Sequence, residues 1–260
     1  MHAIIHGIKM TYTDVGRGAP LLFVHGFPLS RGAWRKQISV FKKTHRCVAP
    51  DLRGLGASAT PGGTITMAHM AEDLAALIAH LNAGPVTLIA HSMGGYVALA
   101  FARQFPKLLR GLVLVGTRAG ADTPEAAQKR RETAEKVKID GVKIVIDAMA
   151  PKMLSTINDD KAMHKQIRAL MAPSSRDGVI GGLLGMAERA DREAEMRKIR
   201  VPTLIITGSD DALVPPAESE KMAEAIKRST LAIIPQAGHL VAFEKPREFN
   251  DALKDWLDNV

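Results

Sequence analysis

With 260 residues, 46% of them hydrophobic, and one cysteine, Cys47, the chain holds enough apolar side chains for a single large domain without disulfides or a structural metal. No segment approaches the roughly 20 uninterrupted apolar residues of a membrane span, and Met1 to Gly7 lacks the basic and apolar regions of a secretion signal, so a reduced, cytoplasmic setting is expected. The net charge of +8 does not imply nucleic-acid binding: the one tight basic cluster, Lys129-Arg130-Arg131, alternates with Glu125, Glu132 and Glu135, and two Trp, two Tyr and seven Phe make no base-stacking platform.

Apolar runs near 3–6, 9–14, 21–25 and 45–50 read as strands, the early ones an antiparallel lead-in. His25-Gly26-Phe27-Pro28 leaves the third, and a glycine there lets the backbone turn so that the next N–H points inward. His25 is expected to pin this loop by hydrogen bonds. A helix is predicted near 33–40. Cys47, inside the fourth strand, reads as a buried structural thiol. Asp51-Leu52-Arg53-Gly54-Leu55-Gly56 follows that strand; it lacks the G-x-G-x-x-G spacing and a Gly-Lys-Ser/Thr ending, so it reads as a structural turn rather than a phosphate cradle.

A helix near 67–81 leads to the most informative segment, the strand 86–91 followed at once by a helix over 93–104. Ser92 stands at the apex between them. A serine in so tight a turn takes up a strained backbone, tolerated only where the residues two before and two after are minimal, as Ala90 and Gly94 are. Its hydroxyl is lifted clear of the sheet, and the first free N–H groups of the helix face the same space, where an oxyanion could form. A serine nucleophile needs a histidine base and a carboxylate to orient it. His91, next to Ser92, points away from it by strand alternation and reads as a neighbour rather than a second base.

Beyond a strand near 111–116 the alternation stops. Residues 119–198 read as helices only, near 124–138, 140–150, 159–171 and 176–188, broken by Pro151, Pro173 and the Gly181-Gly182 pair. Met149, Met153, Leu154, Met163, Leu170, Met171, Leu183, Leu184 and Met186 are expected mostly to pack this insertion onto the core, a minority facing a pocket that suits small to medium uncharged esters. Strands near 202–207 and 230–234 and helices near 216–227 and 246–258 complete the chain. The alternation predicts a mostly parallel eight-stranded sheet flanked by helices, with an all-helical cap inserted after strand 6. Residues 1–118 and 199–260 would form the core and 119–198 the cap subdomain. Asp210 or Asp211, in the loop leaving the seventh strand, and His239, in the loop leaving the eighth, fall at strand ends from which they can reach Ser92.

The order serine, aspartate, histidine, with His25 to Pro28, Asp51 to Ser58, the Ser92 turn, Gly208 to Pro215 and Gly238-His239, resembles the α/β-hydrolase superfamily. The likeness is to its small carboxylesterase, non-haem haloperoxidase and enol-lactonase-like branch, and it covers nearly the whole chain. The resemblance implies Asp211 as the acid, from the pattern G-x-x-D-x-x-V-P. In relatives whose acid follows the sixth strand, Asp122 would take that place. It further implies an oxyanion hole made by the backbone N–H groups of Phe27 and Met93.

The expected activity is therefore that of a serine carboxylesterase acting through Ser92, His239 and Asp211, with a small-molecule ester as partner and neither cofactor nor metal. Serine at the elbow argues against the aspartate-dependent dehalogenases and epoxide hydrolases of the same scaffold. Lactonase, thioesterase, carbon–carbon hydrolase and perhydrolase or haloperoxidase activities share the triad. From another class, an idle binding protein could keep the shell, and fluorophosphonate labelling at Ser92 would distinguish it.

Overall fold

A computed structural model describes residues 1–60 and 62–260. Eight strands, β1 (His2–Ile5), β2 (Ile8–Val15), β3 (Pro20–Val24), β4 (Arg46–Pro50), β5 (Val86–His91), β6 (Leu109–Val115), β7 (Thr203–Gly208) and β8 (Ser229–Ile234), form one sheet in the order β1-β2-β4-β3-β5-β6-β7-β8. The β1–β2 and β2–β4 pairs are antiparallel and the rest parallel. Strands β3, β5, β6 and β7 are apolar nearly throughout because helices cover both faces.

Register decides what the sheet can do. Val24 stands opposite Ala90, His91 opposite Val115, Val115 opposite Ile206, and Gly208 opposite Ile234. The loops after β3, β5, β6, β7 and β8 therefore leave from one edge. Residues distant in sequence meet there.

The helices are α1 (Arg35–Phe41), α2 (Met67–His80), α3 (Met93–Gln104), α4 (Pro124–Asp140), α5 (Lys143–Met149), α6 (Lys161–Met171), α7 (Arg176–Ala187), α8 (Pro216–Ala225), α9 (Val241–Glu244) and α10 (Pro246–Leu257). Thr66, Thr123, Asp160 and Ser175 accept the third amide of α2, α4, α6 and α7, caps worth about 1 kcal/mol each. Helix α4 ends at Gly141, whose φ is +77°, so α5 starts three residues later than its sequence suggests. The short 3-10 turn Arg31–Trp34 and α9 are additions to the expected elements.

The Gly181-Gly182 pair does not break a helix; it lies inside α7. A Cβ on Gly181 would sit 2.5 Å from Gly63 O, and one on Gly182 would sit 3.1 Å from the Phe27 ring. The Ile65 amide donates to Gly181 O at 3.0 Å. Glycine is present so that helix and loop backbones can touch, which offsets its roughly 1 kcal/mol propensity cost. Met153, Leu154 and Met171 are buried with Leu29, Ala33, Leu240 and Phe243, joining the insertion to the core. Cys47 is buried in β4, and that burial pushes its thiol up to about 12, so it stays protonated and inert. No helix among the described residues is long and apolar enough to cross a membrane.

Candidate active site

Ser92 has φ +53° and ψ −118°, outside the range L residues ordinarily adopt. The strain is held by its surroundings. The Ser92 amide donates to Val115 O at 2.9 Å, and Thr117 Oγ1 donates to Ser92 O at 2.8 Å. A Cβ at position 94 would fall 2.7 Å from Val24 O, so the residue two after Ser92 has to be glycine. At Gly26 a Cβ would lie 2.9 Å from Ser92 Cβ, so the loop after β3 presses directly on the elbow.

His239 reaches this point from the loop after β8. Its Nε2 lies 2.9 Å from Ser92 Oγ, and its Nδ1 lies 2.8 and 3.0 Å from the two Asp211 oxygens. Since a carboxylate accepts, Nδ1 carries the proton and Nε2 is left to take one from the hydroxyl. His239 and Asp211 are buried, while Ser92 is half-buried and open to a reactant. Asp211 Oδ1 also accepts from the Leu213 and Val214 amides at 2.9 and 2.8 Å, which fixes its orientation. The two loops are tied together by the Asp210 amide donating to Ala237 O at 2.9 Å.

The other candidates separate cleanly. Asp210 accepts from Ser155 Oγ at 2.5 Å and Ser209 Oγ at 2.7 Å, bonds that hold its carboxyl below the usual range, and it is Asp211 that the imidazole meets. Asp122 pairs with Arg118 at 2.7 Å, Arg130 at 2.5 Å and Arg189 at 2.8 Å and plays no part at His239. Burial works against its charge, but Arg130 and Arg189 outweigh that and hold its carboxyl below the ordinary range. Asp51 accepts from the Arg31 amide at 2.7 Å and the Ala57 amide at 2.9 Å, bracing the turn below the site. His25 pins its loop: Nε2 accepts from the Leu52 amide at 2.9 Å and Nδ1 donates to Gly26 O at 2.9 Å.

His91 is a neighbour of a more intimate kind than alternation suggests. Its ring centroid is 4.7 Å from that of His239, and its Nε2 donates to His239 O at 2.9 Å. Burial first, then the adjacent imidazole, drives its pKa well below the usual value. It stays neutral beside the His239 ring.

Glu244 carries no signal in the sequence. Its buried carboxylate accepts from the Gly238 amide at 2.7 Å, the Ser155 amide at 3.1 Å and Asn158 Nδ2 at 2.7 Å. With the Leu240 amide donating to Met153 O at 2.7 Å, it fastens segment 153–158 of the helical insertion to the His239 loop. Among the described residues, no group of three or more His, Cys, Asp or Glu side chains is arranged to hold a metal ion.

A strained serine, a buried imidazole and an oriented carboxylate in one hydrogen-bonded line have the geometry that acyl transfer requires. The sequence pattern of the α/β hydrolase fold matches residues 19–246. The chain belongs to this hydrolase family. It is 39% identical to an esterase from Thermogutta terrifontis, solved with malate bound, whose structure superposes with a TM-score of 0.96 over 100% of this chain and 98% of that one. It is similar to the bromoperoxidase of Bacillus anthracis, 25% identical with a TM-score of 0.88 over 99% of each chain. It is also 27% identical to 3-oxoadipate enol-lactonase 2 of Acinetobacter baylyi, covering 95% of this chain and 92% of the relative.

Proposed function

We propose that this hydrolase is a serine carboxylesterase acting on small to medium apolar esters. The observation that carries the reading is the unbroken line from Ser92 Oγ through His239 to Asp211, with contacts of 2.9 and 2.8 Å. Ser92 attacks the ester carbonyl while His239 Nε2 takes its proton, and Asp211 orients and stabilises the imidazolium. The Met93 amide, at the start of α3, and the Phe27 amide, after Gly26, receive the oxyanion; losing one such donor typically costs about 3 kcal/mol of transition-state stabilisation. The imidazolium then protonates the departing alcohol. Water, deprotonated by the same histidine, releases the acid and restores Ser92.

Residues 119–198 act as the cap. Helix α7 lies against the Phe27 ring, and Met153 and Leu154 pack with Leu240, the residue after His239, so the insertion brings apolar side chains to the His239 loop. Apolar acyl and alcohol groups are favoured by that lining and by the kinship to an esterase. A lactone is the second reading, favoured by the enol-lactonase relative, and would use the same residues. Ser92→Ala is expected to abolish hydrolysis of p-nitrophenyl butyrate while circular dichroism and thermal unfolding stay unchanged. A fluorophosphonate should label Ser92 alone; undiminished turnover by the alanine variant would refute the reading.

A further inference from the structure

The opposite edge of the sheet carries a cleft that this chemistry does not use. Three parallel strands enter there, β6 through Leu109-Arg110, β7 after Arg200 and β8 after Lys227-Arg228. The entry points adjoin: the Leu112 amide donates to Pro202 O at 3.0 Å, the Thr203 amide to Arg228 O at 2.8 Å, and Arg228 Nη1 to Arg200 O at 3.4 Å. Arg110, Arg200, Lys227 and Arg228 are exposed at this edge, and the end of α3 adds Arg103 and Lys107. Six of the chain's 35 lysines and arginines gather here.

A cleft of about 360 Å³ opens among them, within the range of small-molecule sites. Its floor is Leu99, Leu109, Met196 and Ile199, and Arg103, Lys198 and Arg200 stand around it. The one acid in its lining, Glu195, is already engaged by Arg103 and by Arg192, the latter at 2.8 Å. Among the described residues, no carboxylate pairs with Lys198 or Arg200. An apolar floor under unpaired cations is complementary to a molecule with an alkyl chain and one anionic end. A neutral alkyl chain would leave the cations without a partner, and an inorganic anion would leave the floor wet.

We infer that this cleft is a second binding site, for a medium-chain carboxylate whose chain lies on the Leu99–Leu109–Ile199 floor and whose head is held by Lys198 and Arg200. It is remote from the reacting serine. Leu109 stands beside Val86, six residues before Ser92 along β5, or roughly 20 Å at about 3.3 Å per residue. Met196 of the floor and Lys198 beside it belong to the 3-10 segment Glu193–Lys198, which returns the chain from α7 to β7. An occupant would therefore rest on the link between the helical insertion and the sheet.

The test is a methyl-NMR titration of the full chain with decanoate below its micellar concentration, repeated on the double variant Lys198→Glu, Arg200→Glu. Saturable shifts are expected at the methyl groups of Leu99, Leu109, Met196 and Ile199. The double variant should weaken these shifts by about tenfold or more while its turnover of p-nitrophenyl butyrate is unchanged. Raising salt from about 50 to about 500 mM should weaken them in the parent protein. Shifts confined to residues around Ser92, equal affinity in the double variant, or equally tight binding of decyltrimethylammonium would overturn the assignment. The readout is binding, so it stands or falls independently of esterase activity.

Discussion

Asp211 and Asp122 are buried carboxylates beyond the ends of neighbouring strands, and they keep opposite company. Asp211 meets one imidazole and two backbone amides. Asp122 meets three guanidinium groups, from Arg118 beside β6, Arg130 on α4 and Arg189 after α7. A carboxylate held by neutral donors keeps its field for the histidine in front of it. One enclosed by arginines has its field neutralised, and what it does instead is join the beginning of the helical insertion to its end. On the proposed function the same group would serve chemistry in one place and architecture in the other, and the difference lies in the net charge of its partners.

Removing the two charges should separate these roles. Asp211→Asn is expected to lower kcat for p-nitrophenyl butyrate by roughly 10³- to 10⁴-fold, since the imidazole loses the group that fixes its tautomer and stabilises its charge. Its melting temperature should move little, because the asparagine oxygen can still accept the Leu213 and Val214 amides. Asp122→Asn should do the reverse. It leaves Arg189, whose side chain is 3% exposed, without its anionic partner, a change that typically costs about 3–5 kcal/mol. Thermal unfolding should then fall by roughly 10 °C while kcat stays within a few-fold. Should the Asp122 variant lose activity and keep its stability, the assignment of roles would be reversed.

How much of this was legible in the sequence depends on how local each constraint is. The Ser92 elbow could be read because its strain demands small residues within two positions, and Gly94 answers to backbone oxygens that the tight turn itself brings near. Asp211 and His239 could be placed because parallel strands deliver their loops to one edge, although the choice between Asp210 and Asp211 needed the family pattern. The Gly181-Gly182 pair was misleading, since a helix break and a helix pressed against another backbone ask for the same residue. Glu244 was invisible. Its donors lie 6 residues away at Gly238, 89 at Ser155 and 86 at Asn158, and nothing in its neighbourhood announces them.

Glu244 gives a smaller and sharper effect than either aspartate. It touches no reacting atom, so it acts by holding the His239 loop and the insertion in register. Glu244→Ala should lower kcat/KM by roughly 10- to 100-fold, with a raised KM as the apolar wall beside His239 loosens. Glu244→Gln keeps one acceptor and should recover most of the loss. If the glutamine variant is as impaired as the alanine, the carboxylate is needed for its charge rather than its acceptors.

The smallest effect concerns acid. Burial lowers the pKa of both His25 and His91 below the ordinary 6.5, so the folded protein resists protonating them while the unfolded chain does not. Below pH 6.5 the unfolded state binds more protons, and stability falls as pH falls, by up to about 1.4 kcal/mol per pH unit for each histidine. Above pH 6.5 both are neutral in either state and contribute no slope. Urea unfolding of the parent protein between pH 7.5 and pH 5.5 should therefore bend downward near 6.5. His91→Gln can still donate to His239 O and has nothing to titrate, so its curve should be shallower by one histidine's share. An unchanged slope would mean that His91 accepts a proton in place, with the His239 ring 4.7 Å away.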